Sequence, residues 1–207
     1  MSVVDLNCRL TQDWSVFNRY LKSSDSLIYI EGPIIIADNG PASLDLSVGH
    51  RWLDHRDNSL YLVPKEGLEI GPHQSVIVEA LQRIALPLNV FGLVTGKGKY
   101  IFQGVFVSSG KIDPGFNGRL KIGIYNGREK TLVLKEGEPF CSCCAFQMES
   151  SLDVPLRSYE TQQTLKESGR SRKTQITNWL ASNWKTLIPI LISLVAIAVA
   201  LFCRERT

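Results

Sequence analysis

The stretch that decides the fold runs from Gly96 to Asn126. It reads Gly96-Lys97-Gly98-Lys99, then Gly104-Val105, then Lys111-Ile112-Asp113-Pro114-Gly115-Phe116-Asn117-Gly118, and closes on Ile124-Tyr125-Asn126. Asp-Pro-Gly followed by an aromatic residue and a second glycine is a turn design. Proline sets φ at one central position, and glycine supplies the positive φ that other residues resist. The flanks, Phe106-Val107 and Leu120 to Tyr125, are rich in β-formers. Asp113 is therefore expected at a tight turn between two strands, where a carboxylate can meet a ligand. Asp-Pro-Gly alone is most often only a turn, so its company along the chain has to carry the reading.

That company is β throughout. Ser26 to Ile30, Ile34 to Ile36, Leu60 to Val63, Ser75 to Val78 and Val90 to Val94 are β-branched or aromatic runs, separated by Gly, Pro and Asn-Gly. One helix is expected within residues 11–23, and no helices alternate with the strands. The pattern predicts an all-β barrel or jelly roll and argues against a doubly wound sheet.

Placed in order, these segments resemble the dCTP deaminase and dUTPase superfamily over roughly residues 15–150. Pro41 to Gly49 resembles its first motif, an Asp-x-Arg-Leu-Gly type strand after a small-residue turn. Ile84-Ala85-Leu86-Pro87 precedes Gly96-Lys97-Gly98-Lys99 with the family's spacing. Gly96 to Val105 resembles the Gly-Arg-Ser-Ser turn and its short helix, and Lys111 to Asn126 the third motif. Glu136-Gly137-Glu138-Pro139, followed by Phe146, resembles the late glycine turn and core strand. The resemblance implies a dUTPase-like barrel, a homotrimer with pockets between subunits, and a nucleotide ligand, with Mg²⁺ as a companion of its phosphates. Asp113 matches the acid that positions the attacking water on the triphosphate in dUTPases. Phe116 matches the aromatic that stacks on the deoxyribose, and Asp45 matches the first-motif acid.

The departures bear on activity. The Glu that activates water in dCTP deaminases aligns with Gly123, which has no group to shuttle a proton. The Arg at the end of the second-motif helix aligns with Phe102, and the first-motif Arg with Ser47. In the second motif the hydroxyls are gone, and a bidentate guanidinium has become the ammonium of Lys97. Lys97 and Lys99 are candidate phosphate contacts, with Gly98 allowing close backbone approach; two solvated turn lysines is the alternative. The glycine-rich fifth motif of dUTPases is absent. Deamination is expected to be lost, with Asp113 left as the one candidate catalytic residue.

A net charge of +3 in 207 residues does not point to nucleic acid as a partner. Among the five cysteines, Cys141, Cys143 and Cys144 read as small buried hydrophobes of a core strand, without metal-ligand spacing. His50, His55 and His73 receive no role. No signal peptide is expected at the N-terminus, so the cysteines are expected in a reducing compartment.

Three regions are expected: a β domain over 1–150, a polar linker over 151–178 and a C-terminal membrane anchor over 179–207. Leu187 to Cys203 is an uncharged run of seventeen residues, at the lower end of a membrane span of roughly 17–25. Trp179 and Trp184 precede it, where interfacial aromatics belong. Arg170, Arg172, Lys173 and Lys185 lie upstream, against Arg204 and Arg206 downstream. That bias predicts a single-pass, tail-anchored protein with its β domain in the cytoplasm and the lipid bilayer as a partner. Three functions stay open. One is a tethered module that senses or sequesters a nucleotide, as a stress or antiviral effector would. Another is a divergent dUTP or dCTP phosphohydrolase using Asp113, and the last is a trimeric scaffold with a vestigial pocket.

Overall fold

The computed structural model describes residues 2–36, 41–54, 59–159 and 165–166, together with scattered positions from 183 to 196. The chain divides into two compact units, Met1–Glu167 and Ser168–Thr207. In the first unit the elements run Ser2–Val3 (β1), Leu6–Arg9 (α1), Leu10–Thr11 (β2), Trp14–Arg19 (α2), Ile28–Glu31 (β3), Ser43–Asp54 (β4), Ser59–Leu62 (β5), Leu68–Ile70 (β6) and Ser75–Ala85 (β7). They continue with Val90–Gly96 (β8), Gly98–Ile101 (α3), Val105–Val107 (β9), Gly110–Ile112 (β10), Phe116–Asn126 (β11), Leu132–Leu134 (β12), Pro139–Gln147 (β13), Arg157–Tyr159 (β14) and Leu165–Lys166 (β15). The fold is mostly β with short helices, as the sequence predicts.

The main sheet runs β10-β8-β13-β4-β7-β11-β14, with β9 also on β11 and β3 also on β7. The long strands β4, β7 and β11 form its middle. β4 is buried along most of its length, as a central strand covered on both faces must be. β8 alternates buried and accessible positions, the signature of a strand with one face on the core. Trp52, Leu46, Ile84, Ile124 and Phe140 fill the interior between the strands. Gly49 sits where β4 shifts register against β7, between Val48 and Trp52. A Cβ there would lie 2.6 Å from the Glu79 carbonyl oxygen, so only glycine lets the two backbones approach this closely.

Two turns behave as their sequences demand. The Phe116 N–H donates to the Asp113 carbonyl at 3.1 Å, and Gly115 takes φ +78°, which makes Asp113 to Phe116 a type II turn. Lys135 to Glu138 repeats the design, with Gly137 at φ +80°. Asn126 ties the site end of β11 to its surroundings. Its Nδ2 donates to the carbonyls of Ile70 at 2.8 Å and Lys130 at 2.9 Å.

Some expectations need correction. Ile34 to Ile36 is not a strand; Ile36 makes an isolated bridge to Leu44. Pro33 precedes the run and gives it no N–H at its start, and Ile34 is exposed. The helix expected within 11–23 is confined to α2, capped by the Asp13 carboxylate on the N–H groups of Ser15 and Val16. The first part of the expected linker docks on the body. The Leu152 N–H donates to the Leu88 carbonyl at 2.9 Å, and the Arg157 N–H to the Gly115 carbonyl at 2.8 Å. β14 then pairs in parallel with β11, and β15 in parallel with β5.

In the second unit Asn183, Thr186, Ile188, Pro189, Ile192, Ser193, Val195 and Ala196 are helical. The Ser193 hydroxyl donates to the Pro189 carbonyl at 2.9 Å. Among the described residues no helix is long and apolar enough to cross a membrane. Most of the run from Leu187 to Cys203 lies outside the described residues.

Candidate functional site

The residues singled out from the sequence fall into separate clusters within one chain. At the C-terminal end of β8, β13 lies between β8 and β4, in the register Thr95, Ser142, Asp45. Lys97, just past Gly96, therefore reaches across to Asp45. Lys97 Nζ pairs with Asp45 Oδ2, and the Ser142 hydroxyl donates to Asp45 Oδ1 at 2.7 Å. Asp45 is buried, so these two groups compensate its charge. Neither Asp45 nor Lys97 stands free for a ligand here.

Lys99 belongs to a second cluster. Its Nζ lies 3.0 Å from Glu138 Oε1, and the Tyr100 hydroxyl donates to the same oxygen at 2.8 Å. Partial burial opposes ionisation of Glu138. The hydrogen bonds from Lys99, Tyr100 and the Lys135 N–H, with the Lys99 charge, outweigh it and hold the carboxyl below its usual range. Burial first, then the Glu138 carboxylate, pushes the Tyr100 phenol well above its usual range. Gly98 opens α3, and a Cβ on it would meet the Phe102 ring at 3.1 Å.

Asp113 and Phe116 lie at the opposite end of β8, where β10 pairs Ile112 with Gly92. The Asp113 side chain is 55% exposed at its turn, with Lys111 Nζ at 3.0 Å. Phe116 is half-buried and stacks on Tyr159, with ring centroids 5.1 Å apart and planes at 18°. Tyr159 thus occupies a face of the aromatic that the resemblance assigns to the sugar.

Gly123, which the resemblance aligns with the proton-shuttling Glu, borders an apolar pocket of about 320 Å³ between β7, β9 and β11. Val76, Ile77, Phe106, Val107, Ile124 and Tyr125 wall it. The Gly123 N–H donates to the Ser108 hydroxyl at 2.9 Å. Among the described residues no carboxylate and no imidazole lines this pocket. Ser47, which the resemblance aligns with the first-motif Arg, is fully buried, and its Oγ has no hydrogen-bond partner among the described residues.

The cysteine strand is chemically quiet. Burial pushes the Cys143 thiol up to about 12 and raises those of Cys141 and Cys144. Among the described residues no three His, Cys, Asp or Glu side chains gather as metal ligands. One arrangement escaped the sequence reading. His73 takes φ +55°, and its ring nitrogens face Glu129 at 3.2 Å and the Tyr125 hydroxyl at 3.4 Å. The signal for it was Gly71-Pro72-His73-Gln74, a turn sequence just before β7.

Similarity to known proteins assigns the family. Residues 18–148 match the model of the dCTP deaminase-like family. The chain belongs to that family. It is 30% identical over 133 residues to the dCTP deaminase of Pyrococcus abyssi, covering 63% of this chain and 85% of the relative. It is 26% identical over 133 residues to a dUMP-forming dCTP deaminase of Persephonella marina, covering 56% of this chain and 74% of that one. Among solved structures it is similar to EIAV dUTPase, with a TM-score of 0.46, 23% identity, and 67% of this chain and 100% of that chain covered.

Proposed function

We propose that this protein is a membrane-tethered, nucleotide-binding homotrimer of the dCTP deaminase-like family that has lost deaminase chemistry. Gly123 carries the loss. Deamination needs a group that takes a proton from water and delivers it to the departing amine. At Gly123 there is no side chain, its N–H is held by Ser108, and the surrounding pocket is hydrocarbon. Phe102 in place of the family's Arg removes a second polar contact.

Nucleotide binding is supported by family membership and by the Asp113 turn, which keeps a carboxylate in water beside Phe116. Lys111, with a side chain 73% exposed, adds a cation at that turn. A Mg²⁺ ion would arrive on the nucleotide's phosphates, as that ion usually does. The tether is supported by the uncharged run from Leu187 to Cys203 and by Ile188, Ile192 and Val195, which stand exposed on helical positions. The excess of basic residues upstream favours a cytoplasmic β domain. A second reading, a dUTP or dCTP phosphohydrolase, is favoured by the accessibility of the Asp113 carboxylate alone.

Isothermal titration of the full chain in mild detergent with dCTP and dUTP, with and without Mg²⁺, tests the binding. Saturable heat that Phe116→Ala weakens, without ammonia release, is the expected result. Pyrophosphate release abolished by Asp113→Asn would establish the second reading instead. Absence of binding to either nucleotide would remove both and leave a scaffold.

A further inference from the structure

Past β13 the chain crosses the turn that carries Asp113 and Phe116. The Leu152 N–H donates to the Leu88 carbonyl at 2.9 Å, and the Arg157 N–H to the Gly115 carbonyl at 2.8 Å. Between these anchors Val154 and Pro155 lie over Gly115, at 3.8 and 3.5 Å from where its Cβ would stand. β14 then adds itself to the start of β11, with Arg157 beside Phe116 and Tyr159 beside Gly118. Only a glycine at position 118 lets the Tyr159 backbone settle this close. Residues 152–159 thus form a strap over the turn, and its Tyr159 ring stacks on Phe116.

The strap divides the turn into a covered part and an open part. Phe116 packs against the core, so the face under Tyr159 is the one that would otherwise meet solvent. The Asp113 carboxylate stays exposed, with Lys111 as its neighbour. The aromatic surface is withheld while the charged groups remain in water. The hold on it is light. β14 is three residues long and all three are exposed, and elements with few buried contacts open at low free energy.

We propose that the strap is an internal competitor of the nucleotide: Tyr159 occupies the Phe116 face, and a nucleotide that settles on Phe116 displaces β14 from β11. This is a regulation of the site proposed above and rests on the reading that Phe116 receives the sugar. A site whose competent form is only partly populated binds with an affinity reduced by that fraction. Removing the competitor therefore strengthens binding, which sets Tyr159 apart from a residue that touches the ligand. The coupling is reciprocal: whatever holds β14 down weakens binding, and binding frees β14.

The test titrates the full chain in mild detergent with dCTP and dUTP, as the parent and as Tyr159→Ala, Tyr159→Phe and Gly118→Ala. Tyr159→Ala should tighten binding by about two- to tenfold, the worth of one aromatic pair. Gly118→Ala crowds the Tyr159 carbonyl without altering either ring, and should tighten binding likewise. Tyr159→Phe keeps the ring and should leave the affinity at the parent's value. In the parent, saturating nucleotide should raise hydrogen exchange at residues 157–159 and speed trypsin cleavage after Arg157. Weaker binding by Tyr159→Ala, or exchange at 157–159 that falls on adding nucleotide, would make the strap a cover that closes over the ligand and overturn the proposal. Equal affinity in parent and variants would overturn it and leave the nucleotide reading standing. Binding by Tyr159→Ala where the parent shows none would support it, as a strap that keeps the site shut. If parent and variants alike bind neither nucleotide, the proposal falls together with the reading it rests on.

Discussion

Lys97 shows how a residue's surroundings can displace the role its motif suggests. Read along the chain, Gly-Lys-Gly-Lys looks like a phosphate cradle. In the fold, the Lys97 ammonium neutralises the buried Asp45 carboxylate. The two are 52 positions apart, and only the register of β8, β13 and β4 brings them together. Lys97→Met should therefore act first on stability, because Asp45 would keep a buried charge with Ser142 as its remaining named partner. Breaking such a pair costs about 3–5 kcal/mol; the partial exposure of Lys97 puts the expectation near the lower figure. Urea unfolding followed by tryptophan fluorescence measures it, and a loss below about 0.5 kcal/mol would return Lys97 to the list of free cations. Glu138 makes a second prediction. Its carboxyl is held below the ordinary value of 4.5 in the folded chain, so folding favours its ionised form. That contribution is complete above about 4.5 and fades as pH falls through the lower folded value. Glu138→Gln should lose less stability than the parent between about pH 6 and pH 3, read as the shift in urea midpoint.

At the scale of elements, the Asp113 turn, the Lys135 turn and strands β7, β8 and β11 were legible because their signals are local. Positive φ at glycine, proline at the second turn position and β-branched runs need no knowledge of distant partners. The Ile34 to Ile36 run misled for the same reason: three β-branched residues look like a strand wherever they stand. β14 was hidden from the opposite side. Arg157-Ser158-Tyr159 lies in a polar stretch, and its pairing depends on Gly118. A Cβ at Gly118 would sit 2.8 Å from the Tyr159 carbonyl oxygen, a constraint that appears only once β14 is laid on β11. Gly118→Ala should accordingly detach β14 and uncover Phe116 while the barrel holds. Hydrogen exchange would rise at residues 157–159 and stay unchanged in β4 and β7. Trypsin cleavage after Arg157 would speed up in parallel. Equal exchange in parent and variant would mean that the strand is held by something other than this close approach.

For the whole molecule, the membrane prediction rests on the uncharged run from Leu187 to Cys203. An uncharged run of this length is expected to insert favourably, at about −0.3 to −0.6 kcal/mol for each central Leu, Ile, Phe or Val. Val195→Arg would oppose that by about 2.5–3.5 kcal/mol. The parent chain should stay with membranes through carbonate extraction, and the variant should partition into the supernatant. Recovery of the parent in the supernatant would assign the run a packing role. Digestion of the β domain by protease added outside intact cells would invert the topology.

The way the chain leaves the barrel has a mechanical consequence. Tension applied beyond Glu167 reaches β15 first, two residues clipped to Leu60 and Tyr61. It then reaches β14, three residues backed by the Tyr159 ring on Phe116. Only after both have let go, and the Leu152 N–H has left the Leu88 carbonyl, does the load arrive at β13, which is hydrogen-bonded on both flanks to β8 and β4. Short elements with few buried contacts open at low free energy, and central strands open last. The two clips in series act as a fuse: a tug on the tail spends itself on five residues and leaves the barrel intact.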